Sequence, residues 1–493
     1  MYVSDISLID MEEQVELSAI VNCESVADSF RIYYRVPKEF KKFISGYGDM
    51  FVPILLPVCS VLNEDLHIPL VLSTNLKRNT KQFIDIYKCW YKNTKTFNHV
   101  EIFDGDETIS GSEPCSEKGN GVFFSLGVDS TYTLIKNISD INTLIIIDGF
   151  DAWMWEKEYL TDILNATQDT IKVLNTNKDI KVIPIETNFR EFAERYLDWW
   201  QYMFGAGLAS VALFLGNGLK ECFISLGMSY NELYPRGSHP LLDPLWSTEY
   251  LKLIDEGGEY NRLQEVIEIS KYPGALNNLR VCEKFNRHRF NCGYCNKCIR
   301  TMIELHISGR LNDCLTLPSK IPLEVLSSFN IEKSWERTIF MEILNSLTNS
   351  PEDVLIKRAI RKALKVKKDD SSKIVETPDS LMIVRNLIDD GHFKEAFDIT
   401  IELIKINPFD PEINYLTGFC RLILNTEINE ALVNFNKALE YGFDEFWVKY
   451  NRASVYEKLG MKSEAKNDIL SAIKLNPTHE GAQKVLHQIT DLI

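Results

Sequence analysis

No apolar run in this sequence approaches the ~20 residues that a membrane-spanning helix needs, so no membrane helix is expected. Basic charge is also in deficit. Lys and Arg number 54 against 70 Asp and Glu, a formal charge of −16, which argues against whole-surface attraction to nucleic acid or anionic lipid. The first fourteen residues carry Asp5, Asp10, Glu12 and Glu13 and lack the basic flank and apolar core of a secretory signal. The eleven cysteines are an odd number; most stand singly in apolar segments and three crowd together late in the chain. That pattern fits reduced thiols plus a metal knot better than a disulfide scaffold, and the expectation is a cytoplasmic protein. What is present is ordinary globular composition, 45% hydrophobic and 25% charged, which excludes a largely disordered or collagen-like chain. At about 100 to 200 residues per domain, 493 residues imply several domains.

Four zones are expected. Residues 1–115 alternate polar and apolar positions, as in Val15-Glu16-Leu17-Ser18-Ala19-Ile20-Val21, and add a helical stretch with Phe83, Ile84, Ile86, Tyr87 and Trp90; this reads as an N-terminal α+β domain of unassigned role. Residues 116–310 carry near-continuous apolar runs, Gly121 to Phe124, Leu144 to Ile147, Val182 to Ile185 and Cys222 to Leu226, separated by helical stretches. Strands without alternation suit an α/β fold, a parallel sheet covered by helices on both faces, with ligands at the carboxyl ends of the strands. Residues 311–376 read as a helical connector ending in the polar linker Asp369-Asp370-Ser371-Ser372.

Residues 377–493 repeat. Ala396, Ala431 and Ala465 recur at intervals of 35 and 34, and Gly391, Asn425 and Gly460, like Pro408, Gly442 and Pro477, at 34 and 35. This all-α period resembles the tetratricopeptide repeat, whose stacks offer a groove to a protein partner. Tyr415, Arg421, Trp447, Tyr450 and Asn451 are candidates for that groove, Trp447 and Tyr450 also for the repeat core.

After the strand Gly121 to Phe124 come Ser125, Leu126, Gly127, Val128, Asp129 and Ser130, and then a helical pattern. Unpaired N–H groups and the dipole at a helix N-terminus suit pyrophosphate. Ser125 and Ser130 add hydroxyl donors, Gly127 admits a close approach, and Asp129 suits Mg²⁺ bridging phosphate oxygens. The turn resembles the Ser-Gly-Gly-x-Asp-Ser pyrophosphate loop of the ATP pyrophosphatase superfamily, with Leu126 departing from the pattern. Further on, Cys282, Cys292, Cys295 and Cys298 form a C-x9-C-x2-C-x2-C array suited to tetrahedral Zn²⁺, with an iron–sulfur cluster as the alternative and His288 as a spare ligand.

The loop followed by this array resembles the 7-cyano-7-deazaguanine synthase family over about residues 120–305. The resemblance implies an adenine nucleotide alpha hydrolase-like fold, ATP, Mg and Zn as cofactors, and adenylation of a small-molecule or protein carboxylate ahead of amide or nitrile formation, as a ligase in a bacterial modification or defence pathway. It also places Asp148 and Gly149, after the second strand, near adenine and ribose. Arg190 after the third strand suits phosphate or carboxylate, and Ser225 ends the fourth. The segment Arg236 to Pro244 is a candidate substrate loop, with His239 as its proton carrier. Three rivals stand beside adenylation: sulfur transfer to RNA, reduction of an adenylylated sulfate, and a nucleotide-sensing adaptor that binds a protein through its repeats.

Overall fold

The computed structural model describes residues 1–26, 28–111, 118–150, 157–174, 178–282, 290–365, 381, 384–385, 387–388, 391–477 and 479–491. The polar linker and His288 lie outside them. Among the described residues are ten strands: β1 (Tyr2–Asp10), β2 (Gln14–Cys23), β3 (Asp28–Pro37), β4 (Leu66–Leu70), β5 (Ile102–Glu107), β6 (Gly119–Phe123), β7 (Thr143–Asp148), β8 (Lys181–Thr187), β9 (Leu219–Ser225) and β10 (Lys252–Glu256). They form one mixed, mostly parallel sheet in the order β10-β9-β6-β7-β8-β3-β2-β1-β4-β5. The helices that accompany it are α1 (Phe51–Leu62), α2 (Thr74–Tyr91), α3 (Val128–Lys136), α4 (Lys157–Val173), α5 (Phe189–Ala193), α6 (Phe204–Phe214), α7 (Arg262–Ile269) and α8 (Asn296–Ile307). Next come α9 (Leu323–Ser328), α10 (Ser334–Ser346) and α11 (Pro351–Lys365).

The apolar runs became β6, β7, β8 and β9, joined in parallel, with β10 added at the edge. The boundary expected near residue 115 does not separate two sheets. β3 pairs antiparallel with β8 through Tyr34 opposite Thr187 and Arg35 opposite Glu186, so the N-terminal strands continue the same layer. Side chains fasten the join. The Tyr34 hydroxyl meets Ser210 Oγ of α6 at 2.6 Å, and Ser210 donates to the Met50 carbonyl at 2.7 Å. Tyr34 also stacks on Phe214 at 5.0 Å. Tyr34 and Phe214 are fully buried, so a single core runs beneath both zones. Local alternation identified β2 and β3 correctly, but pairing of distant strands leaves no local pattern to read.

The repeat helices form a second unit, together with two short pieces of chain before them. They are α12 (Phe393–Ile406), α13 (Pro411–Leu424), α14 (Ile428–Glu440), α15 (Glu445–Lys458), α16 (Lys462–Leu475) and α17 (Glu480–Asp491). Their periodic residues have physical roles. Ala396, Ala431 and Ala465 are fully buried, where a larger side chain would hold neighbouring helices apart. Gly391, Asn425 and Gly460 all have φ between +53° and +82°, the left-handed turn that follows the first helix of a pair. Asp410 caps α13 and Asp444 caps α15, each accepting backbone N–H bonds. Of the candidates for a partner groove, Trp447 is exposed, whereas Tyr415 packs on Phe443 at 4.2 Å and accepts a bond from the buried Asn451. Arg421 is tied to Glu427 and Asn434.

Candidate nucleotide loop and metal centre

The chain leaves β6 with Phe124 N–H still bonded to the Ile145 carbonyl at 2.8 Å, then turns through Ser125, Leu126 and Gly127 into α3. No side chain caps this helix. Gly127 N–H makes a long bond to Ser125 Oγ at 3.4 Å, and Ser130 Oγ reaches the Gly127 carbonyl at 3.2 Å and Ser125 N–H at 3.3 Å. The loop therefore closes on itself through two serine hydroxyls while the start of α3 keeps its electropositive end.

Leu126 takes φ +60°, a conformation that costs a residue with a Cβ roughly 1 to 2 kcal/mol. Its side chain is buried, and its carbonyl accepts Arg280 N–H at 2.8 Å. The departure from the glycine pattern thus keeps glycine's backbone geometry and sends the added atoms into the core.

Asp129, in the first turn of α3, is held by Arg262, whose Nη1 donates to Oδ1. Burial opposes its charge, yet the guanidinium keeps its pKa below the usual carboxylate value. Arg262 begins α7, and behind it Glu265 and Glu304 are buried and raised in pKa, chiefly by loss of solvent. Glu304 lies 3.9 Å from Arg262 Nε and 3.7 Å from Arg300 Nε. This charged cluster escaped the sequence analysis because its members come from three distant helices. The single local sign is Arg300 and Glu304, one helical turn apart on α8.

Asp148 and Gly149 end β7, and Ser225 ends β9, so both fall at the same carboxyl edge as the serine loop. Gly149 has φ +106°, and a Cβ there would lie 2.1 Å from the Thr187 carbonyl oxygen, so glycine is required. Ser225 Oγ is buried with no hydrogen bond among the described residues. Arg190 reaches the residue after Gly149, and its donors are taken up by protein groups. It binds Glu194 at 2.7 and 2.9 Å, donates to the Phe150 carbonyl and packs over Trp199. His239 is also turned inward, edge-on to Trp90 at 4.8 Å, with Nδ1 accepting Leu241 N–H at 3.0 Å. Burial and Arg236 lower its pKa, disfavouring the charged imidazolium. The Arg236 to Pro244 segment is anchored by Asp243, which accepts Ser238 Oγ at 2.6 Å and His239 N–H at 3.1 Å.

The sulfur atoms of Cys282, Cys292, Cys295 and Cys298 all lie within 4.8 Å of one another. Cys282 Sγ and Cys295 Sγ are 3.8 Å apart, and Cys295 caps α8 by accepting Cys298 N–H at 3.5 Å. Gly293 has φ +82° and makes the first tight turn. Four soft donors converging on one point, three of them buried, form a donor set that fits a metal such as zinc.

No family model matches the chain, and no curated protein matches it. Among solved structures the similarity falls on tetratricopeptide-repeat proteins. The first such domain of human RPAP3 is 19% identical over 23% of this chain and 87% of that one, with a TM-score of 0.21. The Arabidopsis OM64 repeat domain is 19% identical over 23% of this chain and 97% of its own, at 0.22. The Yersinia enterocolitica type III secretion chaperone SycD, solved with a peptide of the translocator YopD, is 15% identical over 23% and 92%, at 0.21. The molecule is an α/β protein followed by helical repeats, the latter defined by the helix pairs and their spacing. No helix among the described residues is long and apolar enough to cross a membrane.

Proposed function

We propose that the chain is an ATP-dependent adenylating enzyme, similar to 7-cyano-7-deazaguanine synthase, that activates a carboxylate for C–N bond formation. The observation that carries this reading is the uncapped N-terminus of α3 at the carboxyl end of β6, flanked by Ser125 and Ser130. In this reading the first N–H groups of α3 and the two hydroxyls hold the phosphates, and Asp148 and Gly149 border the adenosine. A substrate carboxylate oxygen attacks the α-phosphorus, pyrophosphate departs, and ammonia or an amine then displaces AMP from the acyl carbon. Catalysis is positioning and charge neutralisation. Asp129 would hold magnesium, which would neutralise phosphate charge, and the four cysteines would hold zinc, which would fix the start of α8. The repeats engage a protein partner, either as substrate or as a tether.

The pairing of Arg262 with Asp129 favours a second reading, in which the domain binds ATP without turning it over and serves an adaptor. Mg-dependent release of pyrophosphate from ATP, assayed with cell extract as the substrate source, separates the two. Asp129→Ala should abolish that release; because it also strips Arg262 of its carboxylate, a lower melting temperature is expected, and far-UV circular dichroism at the assay temperature checks that the variant is folded. Equal turnover by the variant would refute the assignment of Asp129, and binding without release in the wild type would favour the adaptor.

A further inference from the structure

We propose that Arg262 contacts the β- and γ-phosphates of the bound nucleotide, with Asp129 as its counter-ion when the loop is empty; this rests on the nucleotide reading above. Among the described residues, the guanidinium makes one hydrogen bond, from Nη1 to Asp129 Oδ1. Nε is buried with none, and Nη2 has none. An arginine whose side chain is 14% exposed thus keeps Nη2 unused beside the serine loop, while its Nε faces Glu304. Interior guanidiniums ordinarily satisfy that fork with a carboxylate or carbonyl.

Its position is set from behind. Glu304 Oε2 lies 3.9 Å from Nε, too long for a hydrogen bond but close enough to hold the charge in place, and Arg300 faces the other oxygen of Glu304 at 3.7 Å. Glu304 is fully buried and fixed on α8. The side chain therefore stays at the loop rather than extending into solvent. Asp129 Oδ2 would lie 3.5 Å from a Cβ on Gly227, so the carboxylate also faces the small-residue turn after β9. A bivalent cation bound by Asp129 would free Nη1, and the two Nη groups could then donate to phosphate oxygens in a planar geometry that lysine cannot reproduce.

The test uses the full chain with Mg²⁺ and titrates ATP, AMP and inorganic pyrophosphate into wild type, Arg262→Met and Arg262→Lys. AMP lacks the phosphates assigned to Arg262. Arg262→Met should weaken ATP and pyrophosphate about 10- to 100-fold, the loss of a charge-assisted hydrogen bond, with AMP unchanged. Arg262→Lys should recover part of the loss and, by keeping the charge beside Asp129, provides a folded comparison if the methionine variant melts early. Undiminished pyrophosphate binding in both variants would overturn the proposal and leave the nucleotide reading intact. An equal fall for ATP and AMP would also overturn it, since Arg262 would then act through the loop's fold. A wild-type protein that binds neither ATP nor pyrophosphate would remove the nucleotide reading and the proposal together.

Discussion

Asp255 of β10 and Asp243 of the turn before it are both held in the interior, where burial pushes both pKa values up and the charge of Asp243 adds to the rise at Asp255. Asp243 is fully buried, and its Oδ1 lies so close to Gly205 that a Cβ there would sit 2.2 Å away.

This pair makes stability fall with rising pH. In the unfolded chain both carboxyls ionise near ~4, whereas the folded pair retains a proton, so its stabilisation is present at low pH and is lost as pH rises through the folded values. Asp255→Asn removes the proton requirement. Urea midpoints measured between pH ~5 and ~9 should decline less steeply in the variant than in wild type. Parallel slopes would show that the pair does not control the pH dependence.

The Tyr34 to Ser210 bond tests whether the N-terminal strands and the parallel strands β6 to β9 unfold as one. Tyr34→Phe deletes a buried hydroxyl but leaves Ser210 its Met50 partner, so the expected cost is about 1 kcal/mol. Tryptophan fluorescence and far-UV circular dichroism should report that loss in the same unfolding transition of the sheet unit. A variant that shifts an early transition and spares a later one would mean two independent units.

Leu126→Gly sets two effects against each other. Glycine relieves about 1 to 2 kcal/mol of left-handed strain, but truncating a buried leucine costs about 2 to 5 kcal/mol. Burial wins, and the variant should be less stable by about 2 kcal/mol in chemical denaturation. A stabilised variant would mean that the leucine packs poorly.

Purified protein should carry about one zinc per chain, measured by emission spectroscopy, as four thiolates at one point imply. Cys295→Ser should lower both metal content and melting temperature, because Cys295 is a candidate ligand and also caps α8. Four freely titratable thiols in a folded, metal-free preparation would rule the site out.

The parts legible in the sequence were those written locally. The 34- and 35-residue intervals between Gly391, Asn425 and Gly460 announced the helix repeats, and the spacing of Cys292, Cys295 and Cys298 announced a converging knot. Apolar runs located β6 to β9. What stayed hidden depended on distant partners: β3 meeting β8, Arg262 meeting Asp129, and Asp243 meeting Asp255, each across more than ten residues of intervening chain. His239 and Arg190 looked available for chemistry because their packing partners, Trp90 and Glu194, sit on other turns or another helix.

Among the described residues the sheet ends at β5 and β10, and β10 is partly covered, its Leu253 N–H bonding Ser247 Oγ at 3.0 Å. β5 reads Ile102-Phe103-Asp104-Gly105-Asp106-Glu107, and β10 reads Lys252-Leu253-Ile254-Asp255-Glu256. An open strand margin is a template for another strand, and carboxylates along it repel a second copy that presents the same charge. Joining the N-terminal strands to β8 conceals what would otherwise be an apolar parallel margin and replaces it with the acidic β5. Pairing of two copies along β5 therefore sets like charges against each other.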